Sequence, residues 1–150
     1  RKLPRLRNFD YSSARIYFVT INCHDYLHHL GQIEHEGEDK IFKPSIIGVT
    51  TASSIDDIPK YYPGVEVLDY VVMPNHIHMI IRVNRPVGKD SPSISTIVNQ
   101  MKGYISKRIG RSIWQKLFHD HVIRNEDEYQ KIWEYIDTNP VNWKDDCYHH

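Results

Sequence analysis

Cysteine is scarce. Cys23 and Cys147 are the two in 150 residues, and neither sits in a CxxC pair. That is too few for a disulfide framework or a thiolate zinc site, and the cytoplasm is the expected compartment. Long apolar runs are also missing. Stretches such as Val71–Met73 and Met79–Ile81 fall far short of the roughly 18 residues that a membrane span needs. No apolar h-region follows a basic start, so neither a signal peptide nor a membrane association is expected. Net charge is absent too: 19 Lys+Arg against 19 Asp+Glu. A neutral sum weighs against a nucleic-acid partner. No internal repeat or low-complexity segment appears. What remains, 40% hydrophobic and 25% charged residues, is ordinary globular usage. It fits one domain over residues 1–150, large enough to fold without disulfides or a structural metal.

The distribution of charge says more than its sum. Residues 1–15 carry Arg1, Lys2, Arg5, Arg7 and Arg15 against Asp10 alone. Residues 101–124 carry Lys102, Lys107, Arg108, Arg111, Lys116 and Arg124 against Asp120. The acids gather at Glu34–Asp39, Asp56–Asp57 and Glu126–Glu128. The two basic stretches are either solvated surface or one patch for a polyanion.

Arg15–Asn22 is rich in β-formers and reads as a strand, with a weaker one around His29–His35 before a polar turn at Glu36–Lys40. Pro44 opens a helix through Ile47, Ile55 and Ile58. After the Pro63-Gly64 turn, Val65–Met73 and Ile77–Val83 read as strands joined at Pro74-Asn75, and Asn84–Pro92 as a loop. Ile94, Ile97, Val98, Met101 and Ile105 fall at helical spacing, which predicts a helix over Ser93–Ile109, ended by Gly110. Trp114–Ile123 is ambiguous, with extended structure one option. Asn125 and Glu128 resemble a capping box for a helix that runs to about Asn139 and stops at Pro140. The order predicts an α+β sandwich, helices on a mainly antiparallel sheet.

The sharpest local signal is His76-Ile77-His78. Alternate residues of a strand share a face about 6.5–7 Å apart, so two imidazoles can converge on one metal ion. Ile77, Met79, Ile81 and Val83 make the opposite, apolar face. A lone HxH is equally compatible with histidines that bind nothing. In the last helix Tyr129, Ile132, Trp133 and Ile136 form the core stripe. Tyr135 lies about 110° from the stripe's centre, and Asn139 lies one turn further on, nearly the same side. Tyr135 reads either as a site residue or as an interfacial aromatic with a wet hydroxyl. Asn139 reads either as an amide ligand or as a helix C-terminal residue. His119 and His121 form a second HxH, read as surface or DNA-facing.

The runs "LDYVVMPNHIHMIIRV" and "IWQKLFHDHVIRNEDEYQKIWEYIDTNPV" resemble the REP-associated tyrosine transposases, single-tyrosine HUH transposases of small bacterial insertion sequences. The opening "RLRNFDYSSARIYFVTINC" is similar to that family's first strand and its basic approach. The likeness spans about Arg5 to Trp143. It implies a ferredoxin-like α+β sandwich that cuts single-stranded DNA near palindromic hairpins. By resemblance His76 and His78 bind a divalent metal, Asn139 completes its shell, and Tyr135 is the nucleophile. Lys102, Lys107, Arg108, Arg111, Arg124, Arg5 and Arg7 are then expected phosphate contacts, with a homodimer possible.

The chemistry is coherent. A tyrosine hydroxyl with a pKa near 10 is a poor nucleophile at neutral pH, and a cation on the scissile phosphate stabilises charge in the transition state. Mixed nitrogen and oxygen ligands suit Mg²⁺ or Mn²⁺, the latter more tolerant of nitrogen. The product would be a covalent 5′-phosphotyrosine. Two other functions fit the same residues: a non-catalytic hairpin-binding module, and a metal-dependent hydrolase whose nucleophile is water.

Overall fold

The computed structural model describes residues 14–84 and 92–139. Their order is β1 (Ala14–Asn22), β2 (Gly31–Glu36), β3 (Asp39–Pro44), α1 (Ile46–Asp56), a short α2 (Ile58–Tyr61), β4 (Val65–Met73), β5 (His76–Asn84), α3 (Ile94–Ile109), β6 (His119–Ile123) and α4 (Glu126–Asp137). Four strands form one sheet in the order β4-β5-β1-β6, every neighbouring pair antiparallel. Leaving the β2–β3 hairpin aside, the chain runs β1-α1-β4-β5-α3-β6 with β1 and β5 central. That is the ferredoxin-like arrangement expected by resemblance.

Both central strands are covered on both faces, and each face has its own core. Val19, Ile21, Ile77, Met79, Ile81 and Val83 pack with Ile55 of α1 and Ile97, Val98, Met101 and Ile105 of α3. On the other face Ile16, Ile80 and Ile123 meet Tyr129, Trp133 and Ile136 of α4. The expectation that His76 and His78 face away from an apolar core therefore holds only for the larger core. They lie under α4's side of the sheet and are 0% and 1% exposed. Cys23 is buried as well, and desolvation pushes its thiol up to about 12, so it is a core residue.

Several boundaries differ from those read in the sequence. Asp39–Pro44 is a strand paired with β2; its two lysines hid the pattern, and the expected Glu36–Lys40 turn shrinks to Gly37-Glu38. Pro44 ends that strand, and α1 begins two residues later. Ser45 is the cap because its Oγ accepts from Gly48 N–H at 3.0 Å, an oxygen that proline cannot offer. The ambiguous Trp114–Ile123 segment resolves into a bridge from Trp114 to Cys23 and edge strand β6 on β1. Gly110 caps α3 with φ +84°, as its position after the apolar stripe implies. At α4 the capping box is shifted by one residue. Asn125 Oδ1 accepts from Glu128 N–H at 2.9 Å, while Glu128 Oε1 accepts from Arg124 N–H at 3.2 Å.

The first turn of α1 is seated on the chain that follows β1. Ser45 N–H donates to the Leu30 carbonyl, and a Cβ at Gly48 would drive into that same carbonyl oxygen. Helix propensity favours alanine over glycine by about 1 kcal/mol, but overpacking against backbone costs roughly 1–3 kcal/mol. Gly48→Ala should therefore lower the melting temperature, by roughly 2–8 °C for a chain of this length. A melt followed by circular dichroism checks the sign; an unchanged or higher midpoint contradicts this packing.

Candidate active site

The site is built on three cross-strand pairs. Asn22, Thr20 and Phe18 of β1 lie opposite His76, His78 and Ile80 of β5, and directly opposed residues of an antiparallel pair share a face. The neighbouring rung carries a hydrogen bond from Cys23 N–H to the Asn75 carbonyl at 2.8 Å. Alternation then makes Thr20–His78 and Asn22–His76 non-hydrogen-bonded pairs, the type whose side chains approach most closely. The two imidazoles stand edge to face with ring centres 4.7 Å apart.

Each ring is fixed through its Nδ1. Asn75 Nδ2 donates to the Tyr26 carbonyl at 3.4 Å, which turns its Oδ1 toward His76. His76 Nδ1 lies 2.7 Å from that Oδ1. An amide oxygen only accepts, so His76 Nδ1 is the donor of this contact. Tyr26 and Asp25 hold left-handed backbone, φ 55° and 53°, a conformation that costs a non-glycine residue on the order of 1 kcal/mol or more. That turn aims the Tyr26 carbonyl at Asn75. His78 Nδ1 lies 2.8 Å from Thr20 Oγ1.

α4 brings the remaining residues. Tyr135 is half-buried, its ring 5.2 Å from that of His78 and edge-on to Phe18 at 6.3 Å. Asn139 is buried; its Nδ2 donates to the Tyr135 carbonyl at 2.9 Å, leaving Oδ1 as its lone-pair atom. Tyr135 thus lies off the stripe of Tyr129, Trp133 and Ile136 and against a histidine. Among the described residues no three His, Cys, Asp or Glu side chains gather as a metal cluster. A cation at this site would rest on two imidazoles and amide oxygen.

The basic residues are arranged otherwise. α3 packs on the sheet face opposite His76 and His78, so Lys102, Lys107, Arg108 and Arg111 do not flank the histidines on one face. Lys102 Nζ donates to the carbonyls of Gln115 at 2.7 Å and Lys116 at 3.1 Å. It ties the loop after α3 to the helix, and burial lowers its pKa. Lys107 and Arg111 are exposed, and Arg108 lies over the Tyr104 ring, 5.6 Å from its centre. His29, in the segment after β1, is held below its ordinary pKa by burial first and then by the charges of Arg111 and His24. Arg124 is exposed at the start of α4. Arg5 and Arg7 lie outside the described residues. His119 and His121 stand opposite Thr20 and Phe18, hence on the histidine face; both are exposed, and His121 Nε2 lies 2.9 Å from Glu128. A groove of about 320 Å³ between α2 and α3, lined by Ile58, Tyr61, Tyr62, Met101 and Tyr104, opens on the α3 side of the sheet. No helix among the described residues is long and apolar enough to cross a membrane.

Thr20 and Asn75 escaped the sequence reading. The signal for Thr20 was present: polar residues at alternate positions of an otherwise apolar strand mark a face that needs them. Asn75 is masked by being an ordinary turn residue after proline.

Known proteins match this arrangement. The family model described as IS200-like transposase matches residues 39–139. A Haemophilus influenzae protein is 29% identical over 97% of this chain and 91% of its own length. The REP-associated tyrosine transposase of Escherichia coli K12 is 35% identical over 51% of this chain and 44% of its own. The structure of a REP-associated tyrosine transposase bound to a REP hairpin superposes with TM-score 0.65 at 25% identity, covering 85% of this chain and 67% of that one. The crystal structure of a Deinococcus radiodurans protein shares the fold, at TM-score 0.51 and 17% identity over 92% of this chain and 97% of its own.

Replacing the Thr20 hydroxyl by a methyl leaves His78 Nδ1 buried beside carbon. Thr20→Val should cost about 1–3 kcal/mol, the penalty of an orphaned buried polar group, although valine is the better strand former. Urea denaturation checks this; a variant as stable as the wild type contradicts the hydrogen bond.

Proposed function

The chain belongs to the IS200-like transposase family, and from that premise we propose that it cleaves and rejoins single-stranded DNA beside palindromic hairpins through a covalent 5′-phosphotyrosine at Tyr135. The observation that carries the reading is the packing of Tyr135 against a buried pair of histidines whose rings are oriented from behind.

The donors fit a divalent ion. When neutral, His76 presents the Nε2 lone pair because Asn75 holds its Nδ1 proton. His78 does the same when Thr20 accepts from its Nδ1, and Asn139 offers Oδ1. Such ring-nitrogen partners are the usual outer support of a metal-bound imidazole. When bound, Mg²⁺ or Mn²⁺ would supply charge neutralisation at the phosphate oxygens. His76, His78 and Asn139 would hold it.

The protein's own residues do the rest. Tyr135, fixed on α4 by Phe18 and His78, presents Oη to the phosphorus. The Oη–P bond forms, the P–O3′ bond breaks, the phenolic proton passes to water, and the departing 3′ oxygen takes up a proton. The DNA 5′ end stays on Tyr135, and the 3′-OH reverses the step at the same or another end without external energy. Exposed Lys107, Arg108, Arg111 and Arg124, with Arg5 and Arg7, would contact the DNA backbone. Since the α3 cations lie across the sheet from the histidines, DNA would have to pass around the sheet end to touch both.

The hydrolase alternative differs at one atom. Tyr135→Phe removes that oxygen from a half-buried ring and should change stability by less than about 1 kcal/mol. Incubated with labelled single-stranded hairpin substrate and Mn²⁺, the wild type should give a denaturation-resistant protein–DNA band. The Phe variant should bind the substrate equally and give neither band nor cleavage. Cleavage by the variant would assign the nucleophile to water; binding by the wild type without cleavage would assign the chain to the hairpin-binding modules.

A further inference from the structure

Asn22 is a buried polar side chain of this sheet face, opposite His76, with no role in the site described above. It is 0% exposed, and among the described residues neither its Oδ1 nor its Nδ2 has a hydrogen-bond partner. A buried amide without partners is costly, and buried polar groups are nearly always satisfied by something. Its own backbone carbonyl is occupied, accepting from Gln115 N–H at 2.9 Å, so only the side chain is in question.

Its position narrows what could satisfy it. Asn22 stands opposite His76 as Thr20 stands opposite His78, both in the close type of cross-strand pair. Thr20 uses that proximity to hold the Nδ1 of its histidine. Asn22 does not, because the Nδ1 of His76 is already taken by Asn75 from the turn. The amide is therefore left beside His76, on the face that carries both histidines, and outside the ring-orienting network. It offers one acceptor and two donors. Acceptor and donor together match a cation shell and a phosphate oxygen side by side.

We propose that Asn22 is a fourth residue facing the ion, beside His76, His78 and Asn139, its Oδ1 turned to the shell of the divalent ion and its Nδ2 donating to a phosphate oxygen of the DNA. The inference rests on the reading of His76 and His78 as ion ligands. It adds a residue from β1, which precedes the stretch that matches the family model.

Two substitutions separate the roles. Asn22→Leu keeps the branching and the number of side-chain heavy atoms and removes both functions and the unpaired buried amide, so the metal-free protein should melt at the same temperature or higher. Its Mn²⁺ affinity, measured by calorimetry, should fall about tenfold or more, the usual effect of losing a supporting group at a metal site. Asn22→Asp keeps an oxygen, adds a charge that attracts the cation and loses the donor; Mn²⁺ affinity should hold or rise, while the rate of covalent adduct formation falls at least tenfold at saturating Mn²⁺. A lower melting temperature for metal-free Asn22→Leu would make the amide a structural group and overturn the proposal. So would unchanged Mn²⁺ affinity in that variant, or equal loss of affinity in both. A wild type that neither binds Mn²⁺ nor forms the adduct would instead remove the parent reading.

Discussion

The constraint on which the structure turns is the burial of two histidines on the middle of a sheet. β5 is covered on both faces, and a strand in that position is normally apolar throughout. His76 and His78 occupy two of its places at almost no exposure. Buried imidazoles must be hydrogen-bonded, and the neighbouring chain is arranged to do so. Thr20 stands on β1 within hydrogen-bond distance of His78, Asn75 follows the proline of the β4–β5 turn, and the left-handed pair Asp25–Tyr26 turns a carbonyl onto Asn75. A fold that tolerated apolar residues at all these places would be easier to build.

The same constraint sets the role of α4. The ferredoxin-like core needs helices on one face only, and α1 and α3 cover it. α4 closes the other face with Tyr129, Trp133 and Ile136 over Ile16, Ile80 and Ile123. That second core anchors the helix, so that Tyr135, off the buried stripe, meets His78 at a defined place. Asn139 then follows one turn on, bonded to the Tyr135 carbonyl. Position along one helix thus links the candidate nucleophile to a candidate ligand.

Much of this was legible in the sequence. The fold class was legible because α3 and α4 carry clean 3.6-residue periodicities and β1 is rich in β-formers, and the family was legible in the motifs around His76, His78 and Tyr135, which the family model over residues 39–139 bears out. The shell behind the histidines was not legible. Thr20, Asn22 and Asn75 are common residue types in common places, and only the β1–β5 register shows that two of them oppose the histidines. The β2–β3 hairpin was half-seen, since Lys40 and Lys43 break the alternation of β3. Charge misled in one respect. Lys102 reads as a spare cation along the chain, yet its ammonium is bound to two carbonyls of its own loop, and α3 sits across the sheet from the histidines. Counting charges along a chain gives no account of which face of a sheet they reach.

The central claim is that the buried histidine pair is an ion site shared with Tyr135 rather than a polar plug in the sheet. Crystals soaked in Mn²⁺ and measured at the manganese absorption edge test it directly. The account predicts one anomalous peak within about 2.0–2.4 Å of Nε2 of both His76 and His78, the ordinary range for nitrogen and oxygen ligands, with Asn139 Oδ1 beside it and the Tyr135 hydroxyl facing it. No peak there, or a peak only at the exposed His119 and His121, would contradict it.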